Sequence, residues 1–235
     1  MTVIDSHSHI LPGMDDGSGS VEESVAMLRL EAQQGIACVV ATPHFYPHHD
    51  TPEHFLEKRR ESMAALLAAT SQLDGLPQIV LGAEVYFFRG MSSSDQLRRL
   101  TIGEKNCILI EMPPAPWTED MYRELEQIWI QQGIIPIIAH VERYIHPFSA
   151  RKILRRLGEL PVLIQANAAF FLRRRTASMA FRMLRKDQIH LLGSDCHDLA
   201  LRKPNLDVAL QKIGKTLGES AIQRINRYER KALRD

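Results

Sequence analysis

The chain has 235 residues, 45% of them hydrophobic and 24% charged, with a formal net charge of +1. Those values fit an ordinary globular protein of a length at which a single α/β barrel is common, so residues 1–235 read as one domain, and no apolar run reaches the ~18–20 residues that a membrane-spanning helix needs. A net charge near zero and 6% aromatics argue against a nucleic-acid-binding protein.

The N-terminus does not read as a signal peptide, because Asp5, His7 and His9 interrupt its apolar run. Three widely spaced cysteines, Cys38, Cys107 and Cys196, give no disulfide framework and point to a reducing cytoplasm. In chain order, strands are predicted at 3–5, 37–42, 78–83, 107–112, 134–139, 162–166 and 190–193. Helices are predicted at 21–34, 52–69, 118–132, 150–158, 177–186, 205–217 and 219–233. Ser20 with Glu23 has capping-box spacing, and Gly35, Gly133 and Gly158 fall where helices should end. Seven strands alternating with helices imply a parallel sheet that closes, or nearly closes, into a barrel.

Active sites of such barrels lie at the C-terminal strand ends. Here almost every strand delivers a His, Asp or Glu just past its apolar run: His7 and His9, Asp16, His44, Glu84, Glu111, His140, then Asp195 and His197. His7 and His9 are two residues apart on a strand end, so both rings can face one point. One such residue is an ordinary cap or loop side chain. A whole register of them needs compensation, because buried carboxylates and imidazoles are costly. Divalent metal supplies it. Nine ligands suit two or three ions with Glu84 bridging, and the absence of thiolate suits Mn, Fe or Zn. The four carboxylates and three divalent ions leave about +2, or about +1 with a hydroxide, a centre that attracts a phosphate dianion. Such centres lower the pKa of bound water to near 7 and clamp the oxygens of an in-line displacement. Arg143 and Arg202 follow His140 and His197 closely and are candidates to hold phosphoryl oxygens.

The segments HSHILPGMDDG, ATPHF, GAEVYF, LIEMP, IIAHVERY and GSDCH occur in this order. Together they resemble the PHP (polymerase and histidinol phosphatase) superfamily, in particular its CpsB/CapC branch of bacterial tyrosine phosphatases. The resemblance runs from residue 2 to about residue 205. It implies a distorted (β/α)7 TIM-like barrel of the PHP fold, with three divalent ions, manganese or iron with zinc possible, held at the strand ends. It implies a cytoplasmic phosphatase that hydrolyses phosphotyrosine on a bacterial tyrosine autokinase controlling capsule or exopolysaccharide synthesis. Carried over by position, the metal ligands are His7, His9, Asp16, His44, Glu84, Glu111, His140, Asp195 and His197, and the substrate arginines are Arg143 and Arg202. Asp16 is chosen over Asp15 on the family motif. The chain departs from the family at Val141, where proline is frequent, after Asn167, where a serine is expected, and at Asn226, Arg227 and Tyr228, where Asn-Pro is usual. None of these is a proposed ligand.

Other readings remain open at this point. The site chemistry fits a small-molecule phosphomonoesterase such as a histidinol phosphatase, and a metal-stabilised scaffold that binds a kinase tail without catalysis. Cys196 and Arg202 share the C-x5-R spacing of thiol-based tyrosine phosphatases, but no glycine loosens the intervening loop and Asp195 and Asp198 oppose a thiolate. The charge is split: residues 1–142 carry 9 Lys+Arg against 20 Asp+Glu, and residues 143–235 carry 20 against 8. Either the halves attract each other, or Arg173, Arg174 and Arg175 belong to a basic rim for an anionic partner. His48, His49, His54, His146 and His190 are unassigned. Trp117 and Tyr144 read as packing residues or as flanks for a substrate ring.

Overall fold

The computed structural model describes residues 3–145 and 150–233; His146 lies outside them. The elements are β1 (Val3–Ser8), α1 (Val21–Gln33), β2 (Ile36–Ala41), β3 (His44–Phe45), α2 (Pro52–Thr70), β4 (Gln78–Leu81), β5 (Glu84–Tyr86), β6 (Cys107–Glu111), α3 (Glu119–Gln132), β7 (Ile135–Ile138), α4 (Ala150–Leu157), β8 (Leu163–Asn167), α5 (Ala168–Leu172), α6 (Ala177–Arg185), β9 (Leu191–Gly193), α7 (Leu206–Leu217) and α8 (Glu219–Leu233). All named strand pairs are parallel, in the orders β1-β2-β4 and β3-β5-β6-β7-β8-β9.

These two ladders form one curled set of seven staves. The second and third predicted strands are found as β2 and β4, and each stave continues past a break, beyond the predicted bounds, as β3 and β5. The breaks coincide: Pro43 has no N–H to give, and beside it Gly82 N donates to Ala41 O (2.8 Å) and Glu84 N to Pro43 O (3.0 Å). The ends of the set meet where Ser8 and Cys196 bridge in parallel, with Asp195 N donating to His7 O (2.8 Å) and His9 N to Cys196 O (2.9 Å). The predicted parallel α/β barrel is thus observed. α5 was not predicted; at five residues it is too short to show a helical period.

Apart from β4, the strands are largely buried on both faces, which is why most read as continuous apolar runs. Ile4, Cys38, Val40, Cys107, Leu109, Ile137 and Leu191 form the barrel interior, closed by Ala232 and Leu233 of α8. Val39, Ile108, Ile110, Ile138 and Leu192 face outward into the layer shared with the helices. Helix ends follow local chemistry. Ser20 accepts from Glu23 N (3.2 Å), while Glu23 reaches Gly19 N (2.9 Å), and Gly133 ends α3 at φ +64°, a conformation that glycine adopts without strain.

Candidate metal centre

The inward phase of the strands continues into the site. Val40 is followed two and four residues on by Thr42 and His44, Val80 by Gly82 and Glu84, Leu109 by Glu111, and Leu191 by Gly193 and Asp195. The period of two places each inward apolar residue below an inward polar one. His7 and His9 are out of phase with the inward Ile4, across the register shift between Asp5 and Ser8, and His140 is out of phase with Ile137 and Ala139, the inward residues of its strand. It turns inward through a left-handed backbone at φ +29°, and Asp195 sits at φ +53°. Such conformations cost non-glycine residues about 1–3 kcal/mol each and concentrate at functional sites. Gly193 makes room: a Cβ there would lie 2.5 Å from His7 Cβ.

The structure brings all nine predicted side chains together. Glu84, 1% exposed, is at the middle: Oε2 lies 3.1 Å from His7 Nε2, 3.3 Å from His9 Nε2 and 3.1 Å from His44 Nδ1, and Oε1 lies 2.6 Å from His140 Nε2. Asp195 Oδ1 is 3.6 Å from His7 Nε2 and 3.5 Å from His9 Nε2. Glu111 flanks His140 (3.7 Å) and His44 (3.8 Å). Asp16, on the solvent side, is 3.5 Å from His44 Nε2 and 3.4 Å from His197 Nε2. Three overlapping groups have ligand atoms mutually within 4.8 Å: His9, Asp16, His44 and His197; His7, His9 and Asp195; His44, Glu84 and Glu111.

The donor set fits divalent cations. His44 Nδ1 and His197 Nε2 are buried and have no hydrogen-bond partner, although each lies within 4 Å of a carboxylate, and buried Asp195 Oδ1 is held only in ion pairs, with Arg202 at 2.8 Å. Three histidines are held with one nitrogen outward, on acceptors. His7 Nδ1 faces Gln165 Oε1 (3.4 Å), His9 Nδ1 donates to Asp15 Oδ2 (2.7 Å), and His197 Nδ1 donates to the Asp195 carbonyl (3.0 Å). Each Nε2 lone pair is thereby left for the centre, the arrangement that orients metal-ligating imidazoles. Cations also relieve the site's electrostatic conflict. Burial opposes a charged His9, but Asp15 and Glu84 outweigh it and push it up to about 10. Burial and His9 take neighbouring His197 down to about 4. Burial and Glu84 push Glu111 up to about 7.

Both arginines are at the mouth. Arg143 Nη2 donates to Asp195 Oδ2 (2.9 Å) and Nη1 to Glu111 Oε1 (3.3 Å). Arg202 Nη2 lies 2.8 Å from Asp195 Oδ1. Their side chains remain 43% and 36% exposed.

Sequence reasoning missed the supporting residues. Asp15 braces His9 and accepts from His44 N (2.8 Å) and Gly17 N (2.9 Å). Gln165 accepts from His140 N (2.5 Å), and its amide donates to Asn167, whose own amide donates to Asp195 Oδ2 (2.9 and 2.7 Å). The strand phase that carries Leu163 to Gln165 and Asn167 was the available signal. Tyr144 and Trp117 pack together with ring centroids 5.1 Å apart, and both are buried. Tyr144 OH accepts from Met112 N and sits 3.3 Å from His140 Nδ1. His190 Nδ1 accepts from Ile164 N (2.9 Å), a structural role. His54 pairs with Asp50 on the surface (2.7 Å), while His48 and His49 join Tyr46 and Tyr86 in an aromatic group beside His44. Cys196 is fully buried with Sγ toward Glu31. Burial, Glu31 and Asp5 hold its thiol well above the ordinary range, which together with its full burial opposes a nucleophilic role.

Residues 3–233 match the family described as capsular polysaccharide synthesis, CpsB/CapC. The chain is 26% identical over 233 residues to the tyrosine-protein phosphatase CpsB of Streptococcus agalactiae serotype III (strain NEM316), covering 95% of this chain and 94% of that protein. It is 28% identical to the tyrosine-protein phosphatase YwqE of Bacillus subtilis (strain 168), covering 92% and 85%. It superposes with a TM-score of 0.83, at 26% identity and covering 97% and 93%, on a solved structure from work describing YwqE of Bacillus subtilis and CpsB of Streptococcus pneumoniae as metal-dependent tyrosine phosphatases. A histidinol phosphate phosphatase from Lactococcus lactis, solved with zinc, L-histidinol and phosphate, shares the fold at a TM-score of 0.54 and 15% identity, covering 94% of each chain. On the sequence match, which runs through every stave and every residue of the centre, the chain belongs to the CpsB/CapC family of capsular polysaccharide synthesis.

Proposed function

We propose that this protein is a metal-dependent phosphatase that hydrolyses phosphotyrosine on a protein substrate, the tyrosine autokinase of a bacterial capsule or exopolysaccharide system, in the cytoplasm. The observation that carries the reading is the convergence of five imidazoles and four carboxylates, two of the imidazoles with an unpartnered buried nitrogen, beside two guanidiniums. The family relatives named as tyrosine phosphatases support the substrate class.

His7, His9, Asp16, His44, Glu84, Glu111, His140, Asp195 and His197 would hold the divalent ions, three by the count of ligands and manganese or iron by their chemistry, with Glu84 at the middle of the set. Bound there, such ions lower the pKa of water toward ~7 and neutralise charge on phosphoryl oxygens. The chain's own groups do the rest. Asp15, Gln165 and Asn167 fix the orientation of His9, His7 and Asp195. Arg143 and Arg202 bind the phosphoryl oxygens and stabilise the charge that develops on them during displacement. Their geometry suits it: both converge on Asp195 from the exposed side. Phenolate leaves readily enough that the buried centre needs no strongly acidic partner for it.

The test is phosphate release from a phosphotyrosine peptide by protein of defined metal content, with and without chelator, against histidinol phosphate. Chelator-sensitive turnover of the peptide, with histidinol phosphate a poor substrate, supports the reading. Preference for histidinol phosphate would move it to the small-molecule phosphatases, and no turnover of either to a binding scaffold.

A further inference from the structure

The mouth of the centre is unevenly charged. On one side a cavity of about 440 Å³ is lined by Asp15, Asp16, His44, Tyr46, His49 and Asp50, with Met14. On the other a cavity of about 360 Å³ is lined by Arg143, Arg202, Asp195 and Glu142 and extends to Arg173, Lys203, Phe170 and Leu201, four cations against two carboxylates. The two share no lining residue. Arg143 and Arg202 are occupied by Asp195. Arg173 and Lys203 are exposed and have no acidic partner among the described residues.

Both free cations sit next to braced backbone. Arg173 ends α5, its N–H donating to Ala169 O (3.1 Å), and Thr176 Oγ1 closes the following turn on Phe170 O (2.9 Å). The loop leading to Lys203 is pinned by Asp198 Oδ1, which accepts from the N–H groups of Ala200, Leu201 and Arg202 at 2.6, 2.6 and 3.1 Å. Preorganised loops lose less entropy on binding. Leu201, 94% exposed, and Phe170 give the same cavity apolar wall. Its volume is that of a small-ligand pocket, typically ~300–1,000 Å³, enough for one or two side chains. An anionic substrate segment is repelled from the Asp16 and Asp50 side and attracted to this one.

We propose that this basic cavity is a second subsite, which takes an anionic side chain of the substrate protein beside the reacting phosphotyrosine and contacts it through Arg173 and Lys203. The inference rests on the reading of the centre as a phosphotyrosine hydrolase. The anion is a flanking carboxylate or a second phosphoryl group, and the chemistry of recognition is the same for both.

Steady-state kinetics of the metal-loaded enzyme on three peptides test it: one phosphotyrosine with neutral neighbours, one with acidic neighbours, and one with a second phosphotyrosine nearby. Exposed charge contacts imply a KM about threefold lower per contact, so about tenfold lower for either anionic peptide than for the neutral one, with kcat alike. The larger of the two ratios identifies the anion. In Arg173→Ala/Lys203→Ala the ratio falls to about one, and in the wild type it shrinks as salt rises. A wild-type ratio of one, or a ratio that survives the double substitution, overturns the subsite. Fluorescence anisotropy of the same labelled peptides separates the two claims. If no phosphotyrosine substrate is turned over, the hydrolase reading fails, and the subsite then stands or falls on whether preferential binding of the anionic peptides is lost in the double variant.

Discussion

Asp15→Asn isolates the brace behind His9. In the wild type, Asp15 Oδ2 accepts from His9 Nδ1 (2.7 Å) and His44 N (2.8 Å), and Oδ1 accepts from Gly17 N (2.9 Å). The side chain is 8% exposed, so water does not replace lost bonds. Asparagine offers one acceptor oxygen. Turned toward His9 and His44, it keeps two bonds and sets its NH2 against Gly17 N–H. Turned the other way it loses both site bonds, so the first orientation is adopted. The bond to His9 then falls from charge-assisted, about 1.5–3 kcal/mol, to neutral, about 0.5–1.5 kcal/mol. A loss of roughly 1–2 kcal/mol in holding the imidazole corresponds to about a tenfold weaker ion, within the ~10–100-fold range of such partners. Competition against a chromophoric chelator reads the affinity, and circular dichroism checks the fold. We expect one ion weakened about tenfold and activity recovered by excess metal. An affinity equal to the wild type's would refute the reasoning, since His9 would then need no carboxylate to present Nε2.

If Arg143 binds the phosphoryl oxygens as proposed, Arg143→Gln should lower kcat/KM on a phosphotyrosine peptide about 10²–10³-fold, with metal content intact; a change under threefold would leave Arg143 as a surface ion pair. Cys196→Ser should retain turnover and chelation should abolish it, and the reverse pair of results would favour thiol chemistry. Glu229 is buried and accepts from Leu192 N (3.1 Å) where α8 meets β9, and burial, with Asp5 nearby, holds its carboxyl well above the ordinary 4.5. The folded state therefore keeps a proton that the unfolded state releases. Its contribution to stability is full below about pH 4.5 and drains as pH rises toward the folded-state value, by at most ~1.4 kcal/mol per pH unit. Glu229→Gln keeps the acceptor and has no proton to lose, so the variant's Tm should rise relative to the wild type's from pH 5 to pH 8; a constant difference speaks against a proton retained in the folded state.

Much of this was legible in the chain because the barrel repeats one rule. Most staves are apolar on both faces, so runs such as Cys107–Glu111 announce a strand, and the polar residue that follows the run announces the site. Boundaries at Thr42–Pro43 and Gly82–Ala83 were not legible, because the two breaks depend on each other across the sheet. His140 shows a different limit. It is out of phase with Ile137 and Ala139 and reaches the centre through a left-handed backbone that surrounding packing imposes and sequence spacing does not encode. Asp15 and Asp16 are adjacent and chemically alike, yet one braces His9 and the other is 65% exposed beside His44 and His197. That division is made by the turn at Gly17, where an added Cβ would sit 2.5 Å from His9 Cβ. The arginine run at 173–175 was ambiguous in sequence for the same reason: only the cavity distinguishes Arg173 from its solvated neighbours.

The most direct measurement is anomalous diffraction at the metal edges from crystals grown with manganese or iron. Three peaks are expected, enclosed by His7, His9, His44, Glu84, His140, Asp195 and His197, with the peak count reduced in Glu84→Ala. Ion density bound elsewhere on the molecule, with these side chains enclosing none at full metal loading, would contradict it.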